Sequence, residues 1–413
     1  LLGDTKATAH WSIGAGTKLA MECAAALSDA IVAHDDVDSA LAAYEMARRT
    51  PVEITQHNAQ VSLRWFEDMP KHLDKSPYEF AFSLMSRAKA LTWDNIGLRD
   101  KAFLEKTEDE FYARYEGRTG RIAADRPTPM FTPFDLRDLT IPNRVAMAPM
   151  AQYCAVDGNI TDWHRTHYAA RAIGGAGLIF TEMTCPTADA RITTGCTGLW
   201  SDSQEADWAQ LVSMIHTTTP AKVALQLGHA GRKGSTNIPQ LGADLPMGEG
   251  NWPLVSASAI AYFEGRSQTP AEIDRAGMDL IRDSFVAAAV RGARAGFDML
   301  ELHCAHGYLL ASFLSPLTNR RSDGYGGDAK SRMRFPLEIY EAVRAVWPGA
   351  RPISVRLSCS DWAAGGLTLD DLALYAQRLK AAGVDVIHAS SGQTVPWQKP
   401  VYGRMWQTPF SEF

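Results

Sequence analysis

The chain has no apolar run near the ~20 residues that a membrane-spanning helix needs. Its longest candidates, such as Phe285 to Val290, read as one face of a helix. It has no excess of positive charge: the formal net charge of -6 gives nucleic acid or an anionic membrane surface no reason to bind. The six cysteines, at 23, 154, 185, 196, 304 and 359, make no Cys-x-x-Cys pair, so zinc and iron–sulfur sites lack their usual spacing and no metal is expected. Scattered thiols of this kind point to a reducing, cytoplasmic setting. There is no Gly-x-Gly-x-x-Gly dinucleotide loop. Neither an initiator Met nor a signal pattern opens the chain, and Trp406 to Phe413 close it without stop logic, so it reads as a fragment cut at both ends.

What is present suits two domains, since 413 residues exceed one ordinary core. Residues 1–115 read as helical. Leu19, Cys23, Ala26 and Leu27 recur at helical spacing after the Gly14-Ala15-Gly16 turn. Asp36 can cap a helix whose Val37, Ala40, Leu41, Tyr44 and Ala47 share a face; Pro51 then interrupts, and Val61, Trp65 and Met69 start another stripe. Residues 116–129 are polar and basic with Pro and Gly, the composition of a linker.

From 130 to 413, short apolar strands alternate with amphipathic helices. The strands fall at Val145–Ala148, Leu178–Glu182, Val223–Leu227, Met299–Leu302, Ile353–Leu357 and Val384–Ala389. Each is apolar on both faces, as buried parallel strands are. The helix expected at 369–382 is acidic in its first turn and stops at Gly383; that at 335–347 turns Ile339, Val343 and Val346 inward. Such βα repeats fit a doubly wound sheet or a (β/α)8 barrel. The polar residues decide between them. They cluster after successive strands: Pro149-Met150-Ala151-Gln152-Tyr153, then Thr181-Glu182, then Gln226 to Lys233, then His303 to Tyr308, then Arg356 and Ser390-Ser391. A barrel opens all its strand C-termini on one catalytic face. A doubly wound sheet would carry a glycine-rich phosphate loop after its first strand, where Pro-Met-Ala-Gln stands.

These motifs, together with Ser315-Pro-Leu-Thr-Asn-Arg-Arg-x-Asp-x-Tyr-Gly-Gly327, resemble the old yellow enzyme family from about residue 130 to the end. The resemblance implies a (β/α)8 TIM barrel, FMN as cofactor, and hydride passed from NADH or NADPH to an activated carbon–carbon double bond of a small molecule. Gln226 and Arg356 suit a flavin: one amide to donate and accept, and one permanent cation beside the reduced, anionic ring. The resemblance places Pro149, Met150, Ala151 and Glu182 with them at FMN. His303 and His306, three apart beyond a strand end, can converge on one substrate carbonyl and stabilise an enolate. Tyr308 is placed to protonate the α-carbon. Tyr153 and Lys233 are expected to line the substrate pocket, and His229 to be a satisfied packing histidine. Two departures stand out. Ala151 occupies the place of a potential-tuning cysteine in many relatives. Only six barrel strands can be counted, so the loops after strands seven and eight, the usual phosphate anchor, are missing.

Gly3-Asp4 and the Gly14, Gly16 turn resemble the second FAD motif of aromatic-ring monooxygenases, in which a Gly-Asp pair ends a strand and a glycine turn opens a helix toward the flavin. The combined order resembles bifunctional aryl-CoA flavoproteins, which implies FAD, monooxygenation and an aryl-CoA thioester partner. Three readings stay open. One is the two-flavin enzyme of aromatic degradation. Another is a stand-alone ene-reductase whose helical region serves packing or homo-oligomer formation. The last is a flavin-free barrel scaffold.

Overall fold

The computed structural model describes residues 2–88, 90–121, 126–402 and 406–412. It divides into two compact units, one built on Leu1–Pro129 and the other on Met130–Tyr402.

The first unit is helical throughout its described residues: α1 (Asp4–Ala7), α2 (Gly16–Ala33), α3 (Val37–Glu67), α4 (Pro77–Ser86), α5 (Trp93–Arg99) and α6 (Lys101–Thr119). Its core packs α2 on α3 through Leu19, Cys23, Ala30, Tyr44 and Val52. Gly14 takes the left-handed conformation (φ 62) and α2 starts two residues later, as expected. Asp36 caps α3 by accepting from the Ser39 N–H at 2.8 Å. Three expectations need correction. Pro51 does not interrupt: α3 runs through it for 31 residues. A proline removes one i→i−4 bond, and the packing of α2 along α3 holds the rest in line. The linker is shorter than 116–129, because α6 continues to Thr119 before Gly120 ends it at φ 67. Gly3 and Asp4 do not end a strand. Gly3 (φ 62) precedes the one-turn α1, and the Asp4 side chain lies outside the described residues.

The second unit starts with an antiparallel hairpin, β1 (Phe134–Leu136) and β2 (Leu139–Ile141). Six parallel strands follow in the order β3 (Ala146–Met147), β4 (Leu178–Phe180), β5 (Lys222–Leu227), then β8 (Met299–Cys304), β9 (Ile353–Ser358) and β10 (Val386–Ser390). A small parallel pair, β6 (Val255–Ser256) and β7 (Ala271–Glu272), sits within the long β5–β8 connection. The helices are α7 (Asp162–Ile173), α8 (Asp202–Thr218), α9 (Arg275–Arg294), α10 (Leu309–Leu314), α11 (Ala329–Arg332), α12 (Arg334–Val346) and α13 (Leu369–Ala382). Of these, α7 packs on β4, and α8 and α9 on β5, and the largest core lies between helices and sheet, around Trp208, Phe285, Phe297, Phe313, Phe335 and Tyr375. The architecture is thus the parallel half-barrel of an α/β barrel, with β3 and β10 as its outermost strands.

Local chemistry explains the strand starts. Asp298 accepts from the Val223 N–H (2.8 Å) and Asp385 from the Ile353 N–H (2.9 Å), each satisfying a donor at the start of a neighbouring strand. The hairpin packs Leu139 and Ile141 on the strand residues Leu178, Ala224 and Met299, so apolar side chains line that end of the sheet. One further correction falls on α12: Val346 is exposed, and Trp347 takes the inward position.

Candidate active site

Strand register places the polar residues of the inner face in rows. Gln226 pairs with Glu301, and Glu301 with Ser354. One step nearer the C-terminal ends, His303 pairs with Arg356 and Arg356 with His388. Next come Ser358 and Ser390. Because side chains alternate at period two, residues two apart on each strand face the same side, and the rows stack as layers do in a parallel barrel.

The lowest row is a closed polar network. Glu301 is fully buried and accepts from Gln226 Nε2 (2.8 Å) and Ser354 Oγ (2.9 Å), with His388 Nδ1 at 2.9 Å. In the middle row, Arg356 is pushed below its ordinary pKa by burial, with Glu301 opposing, and remains a cation. Its buried Nε–H has no partner among the described residues.

The two predicted histidines meet. His303 Nδ1 accepts from the Ala305 N–H at 3.2 Å, so a neutral His303 carries its proton on Nε2. That proton faces His306 Nδ1 at 3.2 Å. His306 then carries its own proton on Nε2, which reaches Ser390 Oγ at 2.7 Å. Burial, then nearby Arg356 and Lys233 among other cations, hold both imidazoles well below the ordinary histidine range, so both stay neutral donors near pH 7. His306 has φ 61 and Gly307 φ 71, a tight turn that folds His306 back over His303. The Tyr308 ring stands edge-on to His303 with centroids 4.9 Å apart, and burial raises its phenol well above 10, which keeps its proton in place.

The remaining predicted residues divide. Pro149, Met150 and Ala151 follow β3, with Met150 exposed. Tyr153, whose phenol burial raises, shares an apolar cluster with Tyr308, Met183 and Cys196. Glu182 lies against the 149–153 loop. It is fully buried, accepts from the Gln152 N–H (3.1 Å) and lies 2.9 Å from His164 Nε2. Lys233 is buried and bonded to main-chain carbonyls. Gly3, Gly14 and Gly16 lie in the helical unit. Glu301, Ser354 and His388 were missed by motif reading, and Ser390 was noted at its strand end without a role. Their signal was the period-two recurrence of polar residues in otherwise apolar strands, as in Ser354, Arg356 and Ser358.

His229, by contrast, is a packing residue. Its Nδ1 accepts from the Gly231 N–H at 3.0 Å, and burial lowers its pKa to about 4. A folded value below the unfolded one (about 6.5) means that the unfolded chain takes up the proton first as pH falls. Stability contributed by neutral His229 is therefore full above 6.5 and declines toward 4, by about 2 kcal/mol at pH 5. Denaturant unfolding at pH 7.5 and 5 is expected to show that loss, and His229→Asn to flatten it. An equal pH dependence in the variant would contradict the assignment.

The NADH:flavin oxidoreductase / NADH oxidase family model matches residues 129–411. An NADPH dehydrogenase of Geobacillus sp. (strain WCH70) is 42% identical over 287 residues, 69% of this chain and 79% of that protein. One from Listeria welshimeri is 42% identical over 285 residues, covering 68% and 79%. Among solved structures, morphinone reductase matches at 31% identity and TM-score 0.56 over 68% of this chain and 76% of that one. Its complex with tetrahydroNAD matches at 30% and 0.55, over 69% and 78%. A 2-naphthoyl-CoA reductase complex at 22% identity and TM-score 0.61, over 69% and 44%, shares the fold.

Proposed function

The chain belongs to the NADH:flavin oxidoreductase / NADH oxidase family and is an NAD(P)H-dependent flavin oxidoreductase of old yellow enzyme type, and from that premise we propose that it reduces the double bond of an α,β-unsaturated carbonyl compound. The observation that carries this reading is the convergence of two buried, neutral histidines, His303 and His306, beside the Tyr308 phenol; their Nε2–H groups rest on His306 Nδ1 and Ser390 Oγ, partners that a substrate carbonyl would replace. Uncharged donors polarise a carbonyl without a charge that water or a counter-ion would screen.

FMN fits the residues present. The partnerless buried Arg356 Nε–H and the Gln226 amide, oriented by Glu301, suit the polar edge of an isoalloxazine, with backbone at 149–151 beside it. When bound, FMN supplies the two-electron carrier that accepts hydride from NAD(P)H and gives it to the β-carbon. The chain's own part is threefold. His303 and His306 turn their Nε2–H groups from His306 Nδ1 and Ser390 Oγ to the carbonyl oxygen and hold the negative charge that hydride addition pushes onto it. Tyr308 donates its proton to the α-carbon and takes one back from water, so each turnover consumes one solvent proton. Tyr153 packs the pocket wall. The product is the saturated carbonyl compound, with NAD(P)+ released.

FAD, monooxygenation and an aryl-CoA thioester draw no support from relatives whose similarity starts at about residue 129, so the reading stops at the barrel unit. The test is isotopic. FMN-loaded full-length protein is given NADPH, and separately NADH, deuterated at the transferable position, with 2-cyclohexenone in water. Deuterium is expected at the β-carbon and solvent hydrogen at the α-carbon. Unreacted enone with both coenzymes, or deuterium absent from the product, ends the reading.

A further inference from the structure

Lys233 lies in the single helical turn after β5, buried to 3% exposure. Its ammonium donates to the carbonyl of His306 (3.2 Å) and that of Gln393 (3.3 Å), and stands over the rings of Tyr262 (4.5 Å) and Tyr308 (5.2 Å). Those two carbonyls share an unusual property. Each belongs to a residue other than glycine in the left-handed region, His306 at φ 61 and Gln393 at φ 62. Such conformations are strained and persist only when their surroundings over-determine them.

The two turns also touch. A Cβ on Gly307 would lie 2.8 Å from the Gln393 oxygen and 2.9 Å from the Thr394 Cα, so the loops after β8 and β10 meet backbone to backbone across the end of β9. Adjacent Arg232 grips the same loop through the Thr394 carbonyl, and reaches back to the carbonyls of Ile260 and Ala261 (3.3 Å each). His306 is thereby held at both ends of its peptide. Its N–H donates to Ser358 Oγ at 2.9 Å, and its C=O accepts from Lys233. From that backbone the ring reaches His303 with Nδ1 (3.2 Å) and Ser390 with Nε2 (2.7 Å).

We propose that Lys233 is a positioning residue: it acts through His306, tying the strained turns at 306 and 393 together so that the His306 imidazole is held beside His303 at the strand-end site, and it does not touch substrate. This revises the expectation that Lys233 lines the substrate pocket. Two of the three ammonium N–H groups go to main-chain carbonyls and the cation is flanked by the Tyr262 and Tyr308 rings, so withdrawing it would leave both acceptors and the charge unpaired. The inference rests on the reading of His306 as a carbonyl donor.

A double-mutant cycle between Lys233→Met and His306→Ala tests it. In the wild-type background, K233M is expected to lower kcat/KM for 2-cyclohexenone about ten- to hundredfold. In the H306A background the same change should cost less than about threefold, because the residue it acts through is gone. Multiplying effects, or wild-type kcat and KM in K233M, overturn the proposal. Hydrogen exchange of the FMN-free protein gives a second readout: amides at 306–308 and 392–395 should lose protection in K233M while those of β8 and β9 keep theirs. Unchanged protection in both loops also counts against it. If K233M fails to fold, Lys233→Gln, one atom shorter and uncharged, carries the cycle with a smaller loss of at least about threefold in the wild-type background and none beyond H306A alone in the other, and equal losses in both overturn the proposal. Unaltered turnover in H306A would instead remove the carbonyl-donor reading, an outcome separable from failure of the clamp.

Discussion

Replacing His303 and His306 together with alanine is expected to lower kcat/KM for enone reduction at least about 10³-fold while FMN remains bound. The size follows from what the pair does. Removing one donor to a developing oxyanion costs about 10²–10³ in rate, and here both donors serve the same oxygen. The tautomer chain makes them one unit: the Ala305 N–H fixes His303 with its proton on Nε2, and His303 in turn sets His306. The single variants are therefore expected to lose nearly as much as the double, well short of additivity. FMN should stay, since Gln226, Arg356 and the backbone after β3 are untouched. The distinguishing measurement is flavin content and the rate of flavin bleaching by NAD(P)H, set beside steady-state turnover of the enone. A double variant that turns over like the parent would remove the histidines from the chemistry. One that loses flavin in proportion to activity would move them to the cofactor. Because burial and neighbouring cations hold both rings well below the ordinary histidine range, neither should add an acid limb to the pH–rate profile near 6.5.

Much of the barrel unit was legible because its physics is local. All six barrel strands were found from apolar runs, with ends displaced by only a few residues: the run read as Val145–Ala148 pairs over Ala146–Met147, and that read as Met299–Leu302 continues to Cys304. Helix α13 matched its expected bounds since its signals, Thr368 with Asp371 at one end and Gly383 (φ 88) at the other, are contiguous in sequence. The hairpin β1–β2 was invisible for the opposite reason. Its turn carries no Asn-Gly or Asp-Gly signal. Arg137 takes φ 51, and its guanidinium is held by Asp385 and by the carbonyls of Gly349 and Gly383, more than 200 positions away. Pro51 misled in the same manner, because packing of α2 against α3 overrides a local breaker. The site divides along that line. His303, His306 and Tyr308 share one short segment and could be read together, whereas Glu301 acquires its partners only when β5, β9 and β10 come alongside.

Glu301 accordingly carries the second large prediction: Glu301→Ala is expected to destabilise the barrel unit by about 3–5 kcal/mol, the range for removing one member of a buried charged network. The loss has nameable parts. Gln226 Nε2, Ser354 Oγ and His388 Nδ1 lose their common partner, and Arg356 loses the buried negative charge that opposes its desolvation. An unpaired buried donor costs about 1–3 kcal/mol, so even partial relaxation leaves a large deficit. Glu301→Gln separates charge from hydrogen bonding. Its amide oxygen can accept from one neighbour, but its NH2 must face donors, so a loss of about half that size is expected. Denaturant unfolding of the FMN-free and FMN-loaded protein measures both, with the midpoint falling and the slope unchanged. The loaded protein should lose more than the FMN-free protein, because a Gln226 amide without its anchor no longer presents a fixed edge to the flavin. Equal losses in the two forms would detach Glu301 from the cofactor. A loss under about 1 kcal/mol in E301A would mean that water replaces the carboxylate and that the row Gln226–Glu301–Ser354 is not the closed network its distances describe.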